Sequence, residues 1–502
     1  MNIQLTTLNA RYSHTSMGLR YLLANMQELQ HTTSIQEFTI NDHIQDIAEK
    51  LLAQKPSVIG IGVYIWNAHQ CAELVETIKK VSPETILILG GPEVSHAPMR
   101  VNFDVADYIV QGEADLAFYH LVKAIQSGLS PTERWIKAPL PAIEDIVMPY
   151  GFYTDEDVAN RYIYVEASRG CPFQCEFCLS ALDEKVRNFD VHQFLSALEV
   201  LWQRGVRSFK FVDRTFNLNI RYATQLLDFF LSKDEDYFVH FEVIPDHFPE
   251  VLRERIRQFK PASLQLEIGV QTLNLQVAQN IHRNLKMDKI EKNIAFLEHE
   301  TSAHMHLDLI VGLPGETLQS FGQGLNKLVS MTKAEIQIGI LKKLAGTTLG
   351  RHDEQYGMIY SDIPPYDILR NDVLSFEDIQ KMKRFSRFWN LYYNSGNFKR
   401  SIVQLWSDDG KVFEHFFDFS LWIYAASNST WKISLERLAL YLFEYRVQVQ
   451  CANKADVAAV LLADIMKLEG RKVPGFLKPF AQGLDVHRKV VQGHHKRQQR
   501  HV

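Results

Sequence analysis

Twice along the chain, short β-type runs alternate with helical patterns, and that alternation leaves few folds open. The first series places strand-like runs at residues 3–8, 35–40, 58–63, 85–89 and 108–110, with helical periodicity at 17–30, 43–52 and 68–81 between them. Strands separated by helices are joined by long crossovers, so this series predicts a parallel α/β sheet. Gly90-Gly91-Pro92 and Gly112 fall at predicted strand C-terminal ends, where open α/β sheets bind ligands.

The pattern then breaks. Residues 131–160 hold Pro131, Pro139, Pro141 and Pro149 without a sustained helical period, which reads as a connection between domains. A second series follows, with strand-like runs at 162–165, 208–212, 239–243, 263–268, 306–311 and 335–341. Six such repeats over 161–350 predict a partial (β/α)6 barrel with its active site at the strand C-terminal ends. Residues 351–486 turn mainly helical, and the aromatics at helical spacing in 376–393 and 433–445 are expected in its core. The basic, His-rich residues 487–502 are expected to be a disordered end. With 502 residues the chain has room for about three domains of roughly 150 residues each.

Composition narrows the partners. An apolar fraction of 46% with 23% charge is that of a soluble globule. The formal charge of −5 gives no general attraction to phosphate backbones, so nucleic acid is not an expected partner. Apolar stretches such as 58–66 and 307–313 are too short to span a bilayer. Residues 1–15 carry Arg11 and His14 and lack a signal-peptide apolar region, so a cytoplasmic location without membrane contact is expected.

Only five cysteines occur, and Cys171, Cys175 and Cys178 lie within eight consecutive residues, unlike a disulfide framework. Cys71 and Cys451 stand alone and are expected to be buried thiols. The C-x3-C-x2-C loop follows the first strand of the second series directly. Three thiolates on a short loop can hold three corners of an iron–sulfur cubane, which ordinarily takes four, leaving one iron open. The alternatives are a structural zinc site or bare thiols. Zinc, however, is closed by four Cys or His ligands, and the first downstream histidine, His192, comes only after a helix-forming stretch.

The stretch Glu166-Ala167-Ser168-Arg169-Gly170-Cys171-Pro172-Phe173-Gln174-Cys175-Glu176-Phe177-Cys178 resembles the signature of the radical SAM superfamily. Glu267-Ile268-Gly269-Val270-Gln271-Thr272 resembles that superfamily's fourth-strand motif, and 309–317, with Gly312-Leu313-Pro314-Gly315, its fifth-strand motif. Leu344-Ala345-Gly346-Thr347-Thr348-Leu349 is similar to the turn after strand six. The resemblance implies a [4Fe–4S] cluster on the three cysteines whose open iron binds S-adenosylmethionine (SAM) and cleaves it reductively to a 5′-deoxyadenosyl radical. It places Phe177 against adenine, Ile310 and Gly312 in the adenine pocket, and Glu267 and Gln271 near SAM or substrate. One departure stands out: Val212-Asp213-Arg214-Thr215 occupies the place of the Gly-Gly-Glu expected after strand two.

Before such a barrel, the first domain, 1–130, resembles the Rossmann-like cobalamin-binding domain of the class B subgroup. The residues that agree run from Leu8-Asn9-Ala10-Arg11-Tyr12, through Gly60-Ile61-Gly62-Val63-Tyr64 and Gly90-Gly91-Pro92-Glu93, to Gly112-Glu113-Ala114-Asp115. The resemblance makes Asn9, Gly62, Gly90, Gly91 and Gly112 candidate cobalamin contacts, since small residues let backbone approach the corrin. The Asp-x-His-x-x-Gly motif for an axial histidine is absent, and His14 stands in the wrong context for that role. Methylthiotransferases share the order of domains but need a second cysteine-bound cluster, which Cys71 alone does not supply.

These resemblances imply a radical SAM enzyme performing cobalamin-dependent methylation of an unactivated carbon, supplied with electrons by a donor such as a flavodoxin or ferredoxin. Rearrangement or cyclisation without methyl transfer is the nearer alternative, and a non-catalytic iron–sulfur redox sensor the farther one. Neither the catalytic residues nor the substrate, small molecule or peptide, follows from the sequence. The C-terminal region resembles the uncharacterised tail of some cobalamin-type radical SAM proteins, most clearly at Tyr392-Tyr393-Asn394-Ser395-Gly396.

Overall fold

A computed structural model of the chain describes residues 1–481 except 98, 184 and 469. The expected basic end, 487–502, lies outside the described residues. The first series forms a parallel sheet in the order Thr33–Thr39, Ile3–Asn9, Val58–Gly62, Ile86–Gly90, Tyr108–Gln111 and Trp135–Lys137. Every residue of Ile3–Asn9 is buried, because both faces of the sheet are covered. Helices Met17–Ala24 and Ala117–Gln126 pack Leu19, Phe118 and Val122 against Ile3, Leu5 and Val58 on one face. Helices Ile44–Leu52 and Ala68–Val81 pack Ile47, Leu51, Leu74 and Ile78 against Leu8, Ile59 and Ile61 on the other.

Two details of this region differ from the pattern-based expectation. The predicted helix over 17–30 ends at Ala24, where Asn25 turns its side-chain amide onto the carbonyls of Tyr21 (2.9 Å) and Val147 (3.1 Å). Gln27 then takes a positive φ of 45°, and the chain continues as the 3-10 segment Gln27–Thr32. The connection read as irregular contains Trp135–Lys137, which pairs as the sixth strand; three residues show no period.

The second series forms a sheet whose spatial order follows the chain: Ile163–Val165, Ser208–Phe211, Phe238–Val243, Leu264–Gln271, His304–Val311 and Glu335–Ile340. All neighbours are parallel, giving the expected partial barrel. In Leu264–Gln271 burial alternates strictly, so Leu264, Leu266, Ile268 and Val270 pack outward under the helices. Gln265, Glu267, Gly269 and Gln271 then share the opposite, inner face. A bulge between Gly269 and Gln271 bends the end of this strand.

Beyond the barrel, helices Phe376–Tyr392, Val412–Ser427, Leu435–Glu444 and Lys454–Ile465 join the same hydrophobic core. Phe385, Phe388, Trp389 and Tyr392 are fully buried, so the aromatic stripe is core as expected. Asn394 explains the recognisable end of that helix: its amide bonds the N–H (2.9 Å) and C=O (2.8 Å) of Ile336, pinning the helix to the last barrel strand. Cys71 is buried, but Cys451 is exposed, contrary to expectation. Cys451 follows the π-helical turn Tyr445–Val449 and sits at φ 53°, a left-handed turn that carries it off the helix and out of the core. Among the described residues no helix is long and apolar enough to cross a membrane.

Candidate functional site

The cysteine loop leaves the first barrel strand and is gathered at its neck. Ser168–Arg169 pairs antiparallel with Arg187–Asn188. Between them Gly170 adopts φ 88°, and a side chain there would place Cβ 2.3 Å from the Lys185 carbonyl oxygen, so only glycine fits. The N–H of Cys171 donates to the Asp183 carbonyl (2.9 Å) and that of Cys178 to the Cys175 carbonyl (3.0 Å). Cys171 and Cys175 are buried and Cys178 is half-buried. Burial pushes the Cys171 thiol up; the Phe173 N–H and Arg214 pull it back, while the neighbouring Cys178 and Cys175 thiolates push it further. Three sulfur donors thus share one small region, which suits an iron–sulfur cluster. Arg283 approaches Cys175 Sγ at 3.5 Å.

Asp213, at the place of the missing Gly-Gly-Glu, has a structural task. It accepts hydrogen bonds from the Ala167 N–H (3.0 Å) and Ser168 Oγ (2.6 Å), tying strand two to the neck of the loop. Burial pushes its carboxyl up to about 6. Its neighbour Arg214 makes a double contact with Glu242, at 2.7 and 2.8 Å.

A cavity of about 550 Å³ lies between this neck and the first domain. The first sheet changes direction between Ile3–Asn9 and Val58–Gly62, a topological switch point of the kind where such sheets bind ligands. Gly62, Gly90, Gly91 and Gly112 line the cavity with Tyr64 on one side; Arg169, Gly170 and Arg214 line the other. At Gly91, φ is 108° and an added Cβ would lie 2.5 Å from the Val63 carbonyl oxygen. This glycine-walled recess fits a flat, bulky cofactor such as a corrinoid. Asn9 does not line it: its amide turns to Glu37 (2.5 Å) and the His14 carbonyl (3.1 Å). His14 lies against Tyr164 at 2.6 Å and is equally outside the cavity wall.

The remaining predicted residues gather at the barrel's C-terminal end and inner face. Gln271 stands on the bulge at φ 71°, beside Gly269, whose carbonyl accepts from Arg283; the fourth-strand motif is thereby linked to Cys175. Glu267 lies deeper and contacts His240 Nε2 at 2.8 Å. Phe177 and Ile310 are half-buried against the core. Gly312, at φ 94°, is backed by Ile368, whose Cγ2 would be 2.7 Å from an added Cβ.

Two charge clusters went unread in the sequence. Arg169 binds Asp115 through both nitrogens (2.8 and 2.9 Å), Glu113 at 2.7 Å and Glu166 at 3.1 Å, while Arg187 holds Glu113 and Asp183. The Gly112-Glu113-Ala114-Asp115 turn therefore clamps the neck of the cysteine loop. Burial raises the Glu166 carboxyl to about 7, Arg169 opposing it. Within the cysteine motif itself, Glu176 is buried and contacts His352 (2.5 Å), His282 (3.2 Å) and Arg351. The available signal was a single acidic residue inside the cysteine loop, matched by Arg351-His352 just after the Gly-Thr turn.

Comparison with known proteins agrees with this geometry. Residues 3–122 match the family model described as "B12 binding domain" and residues 165–328 that of the "Radical SAM superfamily". The chain joins a B12-binding domain to a radical SAM domain. Its C-terminal part, 354–500, matches "Protein of unknown function (DUF4080)". It is similar to the cobalamin-dependent radical SAM methyltransferase TokK of Streptomyces tokunonensis, with 24% identity over 63% of this chain and 51% of that protein. The chain spans about half the length of the curated relatives it matches.

Among solved structures, the cobalamin-dependent SAM radical enzyme OxsB shares the fold with a TM-score of 0.62 and 12% identity, over 92% of this chain and 78% of that one. The methyltransferase TsrM of Kitasatospora setae, solved with cobalamin and a [4Fe–4S] cluster, gives 0.59 and 15% identity, over 72% and 78%.

Proposed function

We propose that the chain is a radical SAM methyltransferase that adds a methyl group to an unactivated carbon with the help of cobalamin. One observation carries this reading: the glycine-walled cavity at the switch point of the first sheet is closed on its far side by the neck of the cysteine loop. When bound, the cluster supplies the electron that cleaves SAM and the corrinoid supplies the methyl group.

Cys171, Cys175 and Cys178 would hold the cluster, with Phe177, Ile310 and Gly312 around adenine and Gln271 near the SAM amino acid. Gly62, Gly90, Gly91 and Gly112 would admit the corrin. Arg169, paired with Asp115 and Glu113, fastens the neck of the cysteine loop to the first domain and so would hold the two cofactor sites in a constant relation. The domain boundaries proposed are 1–130, 161–350 and 351–486. A cytoplasmic setting with a flavodoxin- or ferredoxin-type donor completes the proposal.

The test is anaerobic purification with cobalamin supplied, followed by a visible spectrum, an iron and sulfide assay, and reaction with SAM and a reductant. A corrinoid band, about four irons per chain and formation of 5′-deoxyadenosine are expected, with S-adenosylhomocysteine accumulating once a substrate is offered. Absence of the corrinoid band removes methyl transfer, and absence of 5′-deoxyadenosine removes the radical reaction.

A further inference from the structure

At the opposite end of the barrel from the cysteine loop, His304 and Glu335 open the last two strands. His306 is directly across from Glu335 in the parallel register, and His304 and His306, two apart on one strand, share a face. The Nε2 atoms of both rings converge on a single oxygen, Glu335 Oε1, at 3.1 Å for His304 and 3.4 Å for His306. The Glu335 side chain is fully buried. We infer that His304, His306 and Glu335 form a site for a zinc-class divalent cation, bracing the two strands where the partial barrel stands open.

Three observations support this. The donor atoms all lie within 4.8 Å of one another, and a tetrahedral ion with ligands at about 2.0–2.1 Å separates its ligand atoms by about 3.3 Å, close to the two spacings seen. Second, a purely hydrogen-bonded cluster leaves the site incomplete: His306 Nε2 is buried, and its approach to Glu335 has no hydrogen-bond alignment. An ion held among the three donor atoms satisfies that nitrogen. Third, the carboxamides of Gln265 and Gln337 both stand 3.2 Å from His306 Nδ1. The amide nitrogens face the ring as the side chains stand; a half-turn of either carboxamide presents its oxygen, which accepts the Nδ1–H and frees Nε2 for a metal, as the outer partners of ligating imidazoles do.

The choice of ion follows from the donors. Two imidazoles and one carboxylate suit zinc and its neighbours, whereas magnesium and calcium take oxygen ligands. A cavity of about 310 Å³ reaches His304 from outside and is lined also by Lys333, Lys399 and Glu298. It gives a path of entry and room for a water as fourth ligand. The two lysines disfavour weakly held cations and leave the site to ions bound through nitrogen.

The experiment uses the full chain with its cluster assembled, exposed anaerobically to zinc and then freed of loosely held metal. Elemental analysis should find about one zinc per chain beside the cluster iron, and absorption spectroscopy at the zinc edge should find nitrogen and oxygen at about 2.0–2.1 Å without sulfur at about 2.3 Å. His304→Ala and Glu335→Gln should remove the zinc and leave the iron unchanged, while Gln337→Leu should weaken zinc binding by about 10–100-fold. Should either of the first two variants fail to hold iron, the milder His304→Asn takes its place. Sulfur around the zinc, no zinc in the unaltered chain, or zinc retained by the His304 variants would overturn the inference.

Discussion

Arg169 grips Asp115 through both terminal guanidinium nitrogens, at 2.8 and 2.9 Å, so the residue that begins the cysteine loop's neck is fastened to the turn after the fifth strand of the B12-binding domain. Both side chains are nearly buried, and a buried charge stripped of its partner is strongly destabilising. Arg169→Met leaves Asp115, Glu113 and Glu166 without their shared cation and should lower stability by about 3–5 kcal/mol, read as a shift in the urea midpoint. Asp115→Asn keeps the shape and two other carboxylates on Arg169, so about 1–2 kcal/mol is expected. Equal effects would mean that the Asp115 pair is the whole tie and that Glu113 and Glu166 add nothing to it.

Gly91→Ala tests the recess itself. A methyl group there meets the Val63 carbonyl oxygen at 2.5 Å on a backbone of φ 108°, a strain of about 1–3 kcal/mol. The turn must shift into the cavity, so corrinoid retention should fall by about tenfold or more while iron content stays constant. Retention equal to that of the unaltered chain would place the corrinoid elsewhere.

The cysteines should divide cleanly. Replacing Cys171, Cys175 or Cys178 by serine removes a thiolate from the loop and should abolish bound iron and 5′-deoxyadenosine formation. Cys71→Ala should leave iron untouched: that thiol is fully buried between helix and sheet, and burial pushes its pKa far up. The measurement is iron per chain, and loss of iron in the Cys71 variant would contradict the division.

How much of this was legible in the sequence depends on the length scale of the signal. The two alternating series and the cysteine loop are local patterns, and the parallel sheets follow from them because a helix between two strands of one sheet brings the chain back in the same direction. Gly62, Gly90, Gly91 and Gly112 could be placed because strand C-terminal ends collect ligands in any such sheet. The clamp was illegible: Glu113 and Asp115 lie more than fifty residues from Arg169, and a charge on a predicted turn reads as solvated. Asn9 illustrates the opposite failure. It sits at a strand end in an agreeing motif, yet the acceptor that claims it, Glu37, comes from the neighbouring strand. Cys451 eluded prediction because a π-helical turn leaves no mark in hydrophobic periodicity.

Glu316, in the turn that leads from the fifth barrel strand into helix Leu318–Met331, ties stability to pH. Its carboxyl accepts a hydrogen bond from Thr272 Oγ1 at 2.6 Å, joining the fourth-strand and fifth-strand turns, and its other oxygen is buried without a hydrogen-bond partner. Burial raises it from the ordinary 4.5 to about 7, the Thr272 contact opposing. Because the folded chain holds this proton more tightly than the unfolded chain, the contribution to stability is fully present below about pH 4.5 and is lost as pH rises through about 7. A rise of that size corresponds to about 3 kcal/mol. Asp213 and Glu166, raised to about 6 and about 7, act in the same direction. Glu316→Gln retains an acceptor for Thr272 but has no proton to lose, so its stability should decline less between about pH 5 and about pH 8 than that of the unaltered chain. Urea midpoints at the two pH values measure the difference, and parallel declines in both proteins would show that Glu316 is already ionised in the fold.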